Sequence, residues 1–467
     1  SMGKILTLEA SKGYYNDRTV LKWTTDDKPI ESFSIRSRVH GSSADFEQIG
    51  QLTASAGSTI YTFKDDMGQP GLIYDYSVAA ISHCGDLSVT APADNVVGFR
   101  TPTGTINGRV TYGSGQAVKG VEVRAIPEEG SSVGGKAYSF PGLTNSYLEI
   151  EDGELLKEEN VTIQAWVNTK MESRENGIIV QKPNNGTLMM FGGNPYFSWG
   201  GDYIKASTSI IDKEFANITA VATPDSLLLY VDGEKVEGGK RTGTFPSYTG
   251  GKVLIGKGFT GEIDEVRLWS RALTAQEIAN NYNAYLVGNE QGLEAYYTFD
   301  FGVENEFYDL SYYGTEYNKR DGKVVGEGIA ITSEVPTIEQ LCYKNITDDD
   351  GAYTIRALPY YSNGTSYTLT PSLGIHSFDP SKELRFVSSN SQNFTVNFTD
   401  VSSFPVSGTV YYENTNYPVE GCCFYVDGNI CSKDGEMVTT GADGTFEISV
   451  PIGDHFIEVR KSEQGHT

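Results

Sequence analysis

The sequence predicts an all-β chain, a string of β-sandwiches, and three observations carry that prediction. Its 467 residues are about three times the ~150 of an average domain, so the hydrophobic core is divided rather than single. With 52 Gly, 29 Tyr and 21 Phe and many Thr and Val, the composition favours pleated, half-buried strands joined by tight turns over helices. Short runs such as TVLKW, STIYTF and YDYSVAAIS alternate in polarity between turn residues, as strands of a small antiparallel sandwich do.

Charge and cysteine content narrow the partners. A net charge of -25 and a pI near 4.6 leave no basic footprint with which to neutralise phosphates, which argues against nucleic acid. The acidic surface suits solubility and hard cations such as calcium. No run of about 18 apolar residues offers a membrane span. Residues 1–3, Ser-Met-Gly, read as an expression scar, with the remainder a piece of a longer protein. The five cysteines lack the spacing of a structural zinc site. In CCFYVDGNIC a hairpin around Asp427-Gly428 sets Phe424 opposite Cys431 and puts Cys422 one diagonal away. A Cys422–Cys431 disulfide and two buried thiols are the alternatives there.

Taken in order, residues 4–102 hold the first sandwich. Trp23 in TVLKW, then FSIRSRV, then YDYSVAA together resemble a fibronectin type III domain, with Trp23 and Tyr76 as core residues. Two further stretches resemble each other: GRVTYGSGQAVKGVEV from Gly108 and GTVYYENTNYPVEGCCFYV from Gly408. Each has a strand, a turn, a Val-x-Gly step and a second strand. The closing half of the later copy, ADGTFEISVP, has its Gly444 23 residues after Gly421; its counterpart DDGAYTIRALP has Gly351 231 residues after Gly120, an excess of 208. A whole domain therefore stands inserted between two strands of another. On these motifs and the FDP at 378–380 both copies resemble the carboxypeptidase regulatory-like module, a transthyretin-type sandwich. The split module covers 103–132 and 338–401, the insert 133–337, and the second module 402–467.

The insert carries ENVTIQAWVNT, LLLYVDGEKV, GEIDEVRLWSRALTAQEI and YYTFDFG. Asp232-Gly233 is a two-residue hairpin turn, and Thr274 with Glu277 forms a capping box at the start of a short helix. In this order the segments resemble a laminin-G-like, concanavalin A-like jelly roll. The acidic GEIDEV also resembles the active-site strand of jelly-roll glycosidases, which need two carboxylates about 5 Å apart on one cleft. Strict alternation puts Glu262, Asp264, Val266 and Leu268 on one face, so Val266 stands where a third acid is required; a bulge puts Arg267 there instead. The strand is therefore expected to be noncatalytic. The resemblance implies calcium as a candidate cofactor, with Asp264, Asp300 and Asp309 as candidate ligands. The alternative for Asp264 is to organise the turn before the helix. Aromatics on Gly-rich segments, Tyr196, Trp199 and Tyr203 in GGNPYFSWGGDY and Tyr248 in GTFPSYTGG, are candidate ligand-binding residues; the alternative is that they face a core.

The expectation is an all-β rod in which small sandwiches act as spacers and an inserted jelly roll presents a ligand site. Its function is noncatalytic adhesion or binding of a glycan or extracellular protein ligand, in an extracellular or cell-surface setting. A purely structural stalk and a fragment of a carbohydrate-active enzyme are the competing readings. Exposed aromatics around a concavity would favour binding, and aromatics buried against the host module would favour a stalk.

Overall fold

The structure, a computed structural model, describes residues 2–461 apart from 86, 90–95, 130–134, 246–249, 315 and 318–319. Among the described residues the regular structure is β except for one helix, Ala275–Asn281. The first sandwich packs a three-stranded against a five-stranded sheet. Between them Trp23 and Tyr61 stack and Phe33 meets Trp23 edge-on. Tyr76, fully buried, donates its hydroxyl to Asp65 at 2.6 Å.

The next core draws on both sides of a long insertion, from Ile106–Ala125 and Tyr353–Phe398. Its chain leaves after the strand Glu122–Pro127 and returns at Tyr343–Ile346, which pairs with that same strand. Two connections thus hold the insert to one sheet edge. The internal repeat is visible bond by bond. Val110 N donates to Gly351 O, as Val410 N does to Gly444 O, both at 2.9 Å. Thr347 Oγ1 accepts from Val121 N and donates to Val118 O; Thr440 Oγ1 accepts from Cys422 N and donates to Val419 O. The Val-x-Gly step is therefore a buried threonine-clamped corner in both copies. In the second copy the Asp427-Gly428 hairpin forms with left-handed φ at both residues, and Cys431 N meets Phe424 O at 2.8 Å. Cys422 and Cys431 are free thiols, so the disulfide alternative is not the one adopted.

The insert is a jelly roll of two eight-stranded sheets around one large apolar core. One sheet has Thr260–Trp269 in its interior, between Val161–Thr169 and Ala137–Pro141. Its outer face is covered by the helix, which starts at the expected Thr274–Glu277 capping box and buries Ile278 against Trp269 and Tyr296. The Asp232-Gly233 turn likewise closes its hairpin with φ of 50° and 80°. The other sheet runs from Asp202–Lys205 through Asn194–Trp199 and Gly186–Phe191 to Glu306–Phe307, and among the described residues no helix covers it.

The expected rod needs one correction. The first sandwich touches the insert as well as its neighbour in sequence: Phe99 stacks on Phe301 at 4.8 Å, and Tyr14 meets Tyr312 edge-on at 5.5 Å. Aromatic rings on the first sandwich and on the strand-ending loops of the insert remove each other from water, which favours a three-way junction over a line of separate beads.

Candidate functional site

Two features of the insert lie on opposite sides of it. The first is the acidic strand. Its predicted alternation is broken by a bulge: Glu265 takes φ of 50°, and four residues, Asp264 to Arg267, face the three from Gln164 to Trp166 on the partner strand. Ile263, Val266 and Leu268 therefore all enter the core, which corrects the assignment of Val266 and Leu268 to the carboxylates' face. Asp264, Glu265 and Arg267 lie together outside that core, as the bulged reading required.

Each of these groups is committed. Glu265 Oε2 accepts from Arg267 Nη2 at 3.0 Å and from the Tyr296 hydroxyl at 2.7 Å. Arg267 also donates to the carbonyls of Asn281 and Ala284 at the end of the helix. Burial pushes the carboxyls of Asp264 and Glu265 up, and repulsion from Glu265 and Asp300 adds to the rise at Asp264. Asp300 is pushed up to about 7, chiefly by burial and then by Glu265. Trp166, 2% exposed, donates its indole N–H to Tyr282 O and packs with Phe215 and Leu341. Tyr285 stacks on Tyr343 of the host module at 4.4 Å. A cavity of about 300 Å³ remains where the three units meet, lined among others by Gly13, Thr101, Tyr285, Asp300 and Tyr361. The outer face of the sheet that holds the acidic strand is thus the side on which insert and host meet.

The candidate calcium ligands do not form a cage. Asp309 Oδ1 accepts from the amides of Tyr296 and Ser311, and its Oδ2 from the Ser311 hydroxyl, so it organises its own turn. Asp264 Oδ1 accepts the amide of Glu265 at 2.7 Å, a bond at the bulge inside the strand rather than in the turn before the helix. Asp300 accepts Lys136 N at 2.7 Å. Asp264 and Asp300 are near enough to repel, but among the described residues no group of three His, Cys, Asp or Glu converges to hold a metal ion. The ligand set expected for calcium is therefore not assembled by these three.

The second feature is the open sheet. Along Asn194–Trp199 the alternation sends Pro195, Phe197 and Trp199 inward and Tyr196 and Ser198 outward. Trp199 is fully buried, stacks on Phe245 at 5.8 Å and donates its N–H to Glu158 O. It is a core residue of the jelly roll, which corrects its place among the ligand-binding candidates. Tyr203, 67% exposed, stacks on Tyr196 at 5.5 Å, and Tyr196 in turn lies 5.6 Å from Phe191. Lys205 Nζ sits 4.7 Å over the Phe191 ring. A diagonal aromatic row thus crosses three strands on the solvent side, with Met189 opposite Tyr196. Asp202 fixes the neighbouring loop by accepting the amides of Thr242 and Gly243, and these bonds hold its carboxyl below the usual range. Tyr248 lies outside the described residues. Phe191, Met189 and Lys205 were not among the sequence candidates. The signal for them is the two-residue period of GTLMMF, which turns Leu188 and Met190 inward and Thr187, Met189 and Phe191 outward.

Comparison with known proteins agrees with the fold. Residues 142–279 match the concanavalin A-like lectin/glucanases superfamily, and the inserted jelly roll is concanavalin A-like. The chain shows structural similarity to a heptameric SAP-like pentraxin from Limulus polyphemus (13% identity, 46% of this chain and 94% of that one, TM-score 0.27). It is also similar to domain 4 of an extracellular arabinanase from Geobacillus stearothermophilus, solved with arabinotriose (16%, 38% and 86%, 0.25). A third similarity is to domains LG4-5 of the mouse laminin alpha1 chain (10%, 59% and 83%, 0.22). No curated protein matches the chain.

Proposed function

We propose that this chain is a noncatalytic binding segment of an extracellular or cell-surface protein, in which the concanavalin A-like jelly roll presents its open sheet to a glycan or protein ligand. One observation carries the reading: Phe191, Tyr196 and Tyr203 form an aromatic row in solvent on the sheet turned away from the host module. Exposed apolar rings grouped on one face mark recognition surfaces, and their flat faces with Lys205 beside them suit a sugar or a mixed polar-apolar peptide. The fibronectin-like and transthyretin-like units act in this reading as spacers that fix the direction of that face. The noncatalytic part rests on the acidic strand: Glu265 is paired with Arg267 under the helix, and a hydrolytic pair needs carboxylates facing a substrate-sized cleft.

A stalk is the second reading, favoured by the aromatic junction between insert, host and first sandwich. The two are separated by a broad glycan array and a panel of extracellular matrix proteins, probed with the whole chain in calcium and in chelator. Saturable binding supports the binding segment, and its loss in chelator would bring calcium into the site. Absence of binding in both conditions would replace the reading by the stalk.

A further inference from the structure

Three units of the chain meet around two adjoining cavities, of about 300 Å³ and 90 Å³. Tyr285, Asp300, Tyr343 and Tyr361 line both, so one carboxyl and three phenol rings stand at the centre of the junction. Tyr285 and Asp300 belong to the insert, Tyr343 and Tyr361 to the host module. The first sandwich closes the larger cavity with Gly13, Gly71 and Thr101. A Cβ on Gly71 would overlap the Tyr361 ring, so the place of that ring depends on glycine there. Cavities where domains meet, lined by rings with a few converging polar groups, are where small ligands bind.

The charge beside these cavities is unbalanced. Asp264, Glu265 and Asp300 gather near one buried guanidinium, Arg267, which pairs with Glu265 at 3.0 Å. Burial raises all three carboxyls, and Glu265 adds to the rise at Asp264 and Asp300. Lys136 gives Asp300 Oδ1 its backbone amide, while its side chain is exposed. Asp264 and Glu265 are sealed at 3% and 1% exposure. Asp300 is partly exposed, and among the described residues it is the one carboxyl that lines either cavity. Burial also raises the phenols of Tyr285 and Tyr361, and the Asp300 charge adds to the rise at both, which places rings and carboxyl close together. Arg356 lines the larger cavity too, but it is exposed, where water and salt screen its charge.

The backbone gives an independent sign. Among the described residues five that are neither Gly, Asn nor Asp take a left-handed φ, and four of them flank this junction: Glu265, Phe299, Ala357 and Ser362, at 50°, 60°, 59° and 51°. Phe299 precedes Asp300, Ser362 follows Tyr361, and Ala357 lines the larger cavity. Strained residues of this kind gather at ligand sites, where the fold holds a geometry that local preference opposes.

We propose that this junction binds a small organic cation, an ammonium group on a short apolar stem, with Asp300 as its counter-ion and the rings of Tyr285, Tyr343 and Tyr361 around it. The carboxylate supplies charge and hydrogen-bond acceptors, and the ring faces attract the cation through their quadrupoles. The stem takes the apolar wall at Phe301 and Leu310. A hard metal ion would need several oxygen ligands, whereas a single carboxyl faces the cavity. This site is separate from the aromatic row on the open sheet. Because all three units contribute walls, an occupant also ties them together.

The test titrates n-butylammonium chloride into the whole chain in physiological salt, with 1-butanol as its neutral counterpart. At about pH 8 Asp300, which titrates at about 7, is mostly ionised. Calorimetry should show saturable binding of butylammonium and at least about tenfold weaker binding of butanol. Asp300→Asn, a neutral side chain of the same shape, should weaken butylammonium at least about tenfold, and Tyr361→Leu at least about threefold. Arg356→Met should leave the affinity unchanged or raise it. In the wild type, saturating butylammonium should raise the unfolding temperature, a readout that needs no variant. No saturable binding, equal binding of butanol, or binding that Asp300→Asn leaves unchanged overturns the proposal. Loss of binding in Arg356→Met overturns it in favour of a ligand held by its negative charge.

Discussion

The two sheets of the jelly roll have the same number of strands and opposite uses for their outer faces. One carries Trp166, Asp264, Glu265 and Arg267 under the helix and the host module, all at most 3% exposed. The other carries Phe191 and Tyr203 at 42% and 67% exposure, at the two ends of the aromatic row. Charge is buried where fixed partners exist to satisfy it, and aromatic surface is left in water where a partner must come from outside. The difference separates residues that assemble the molecule from residues available to recognise something else.

The comparison breaks most visibly at Trp166. Trp166→Ala should destabilise the insert by about 3–5 kcal/mol, the cost of emptying a large buried aromatic site, measured by chemical denaturation with tryptophan-independent circular dichroism. Arg267→Met should cost about 3 kcal/mol, because it leaves the Glu265 carboxylate buried beside Tyr296 without its cation. Adding Glu265→Gln should recover part of that loss, and a double-mutant cycle reads the coupling.

Asp300 adds a pH dependence of known sign. Its folded carboxyl titrates at about 7 against an ordinary 3.8, so the folded state holds the proton that the unfolded chain gives up. Its contribution is fully present below about pH 4 and is lost as pH rises through 7. Asp300→Asn should therefore match the wild type near pH 4 and exceed it by about 1–3 kcal/mol at pH 8, read from denaturation midpoints at both pH values. The smallest effect on stability belongs to Tyr203→Ala, within about 0.5 kcal/mol of wild type by thermal unfolding, since an exposed ring has little packing to lose.

Much of the fold was legible because its signals are local. The Asp232-Gly233 turn, the Thr274–Glu277 capping box and the Val-x-Gly corners depend on neighbouring residues, and each formed where the sequence placed it. The acidic strand was half legible. Period 2 assigned its faces, but the bulge at Glu265 reassigns every residue from Glu265 on, and no residue type at 265 announces a left-handed backbone as glycine would. Trp199 stood open between ligand and core, because a Gly-rich setting is compatible with both. The decisive fact is its register with Pro195 and Phe197, which points all three inward. The junction was not legible: Phe99 meets Phe301, and Tyr285 meets Tyr343, through pairings between separate units that no local pattern encodes.

The most direct measurement is of ligand binding by the wild type and Tyr203→Ala side by side, on the same array of glycans and matrix proteins, with thermal unfolding of both chains as the control. A ligand bound by the wild type, weakened at least tenfold in Tyr203→Ala at an unchanged unfolding temperature, is the result the account predicts. Equal binding by the two chains, or no ligand for either, would contradict the assignment of the open sheet as the recognition face.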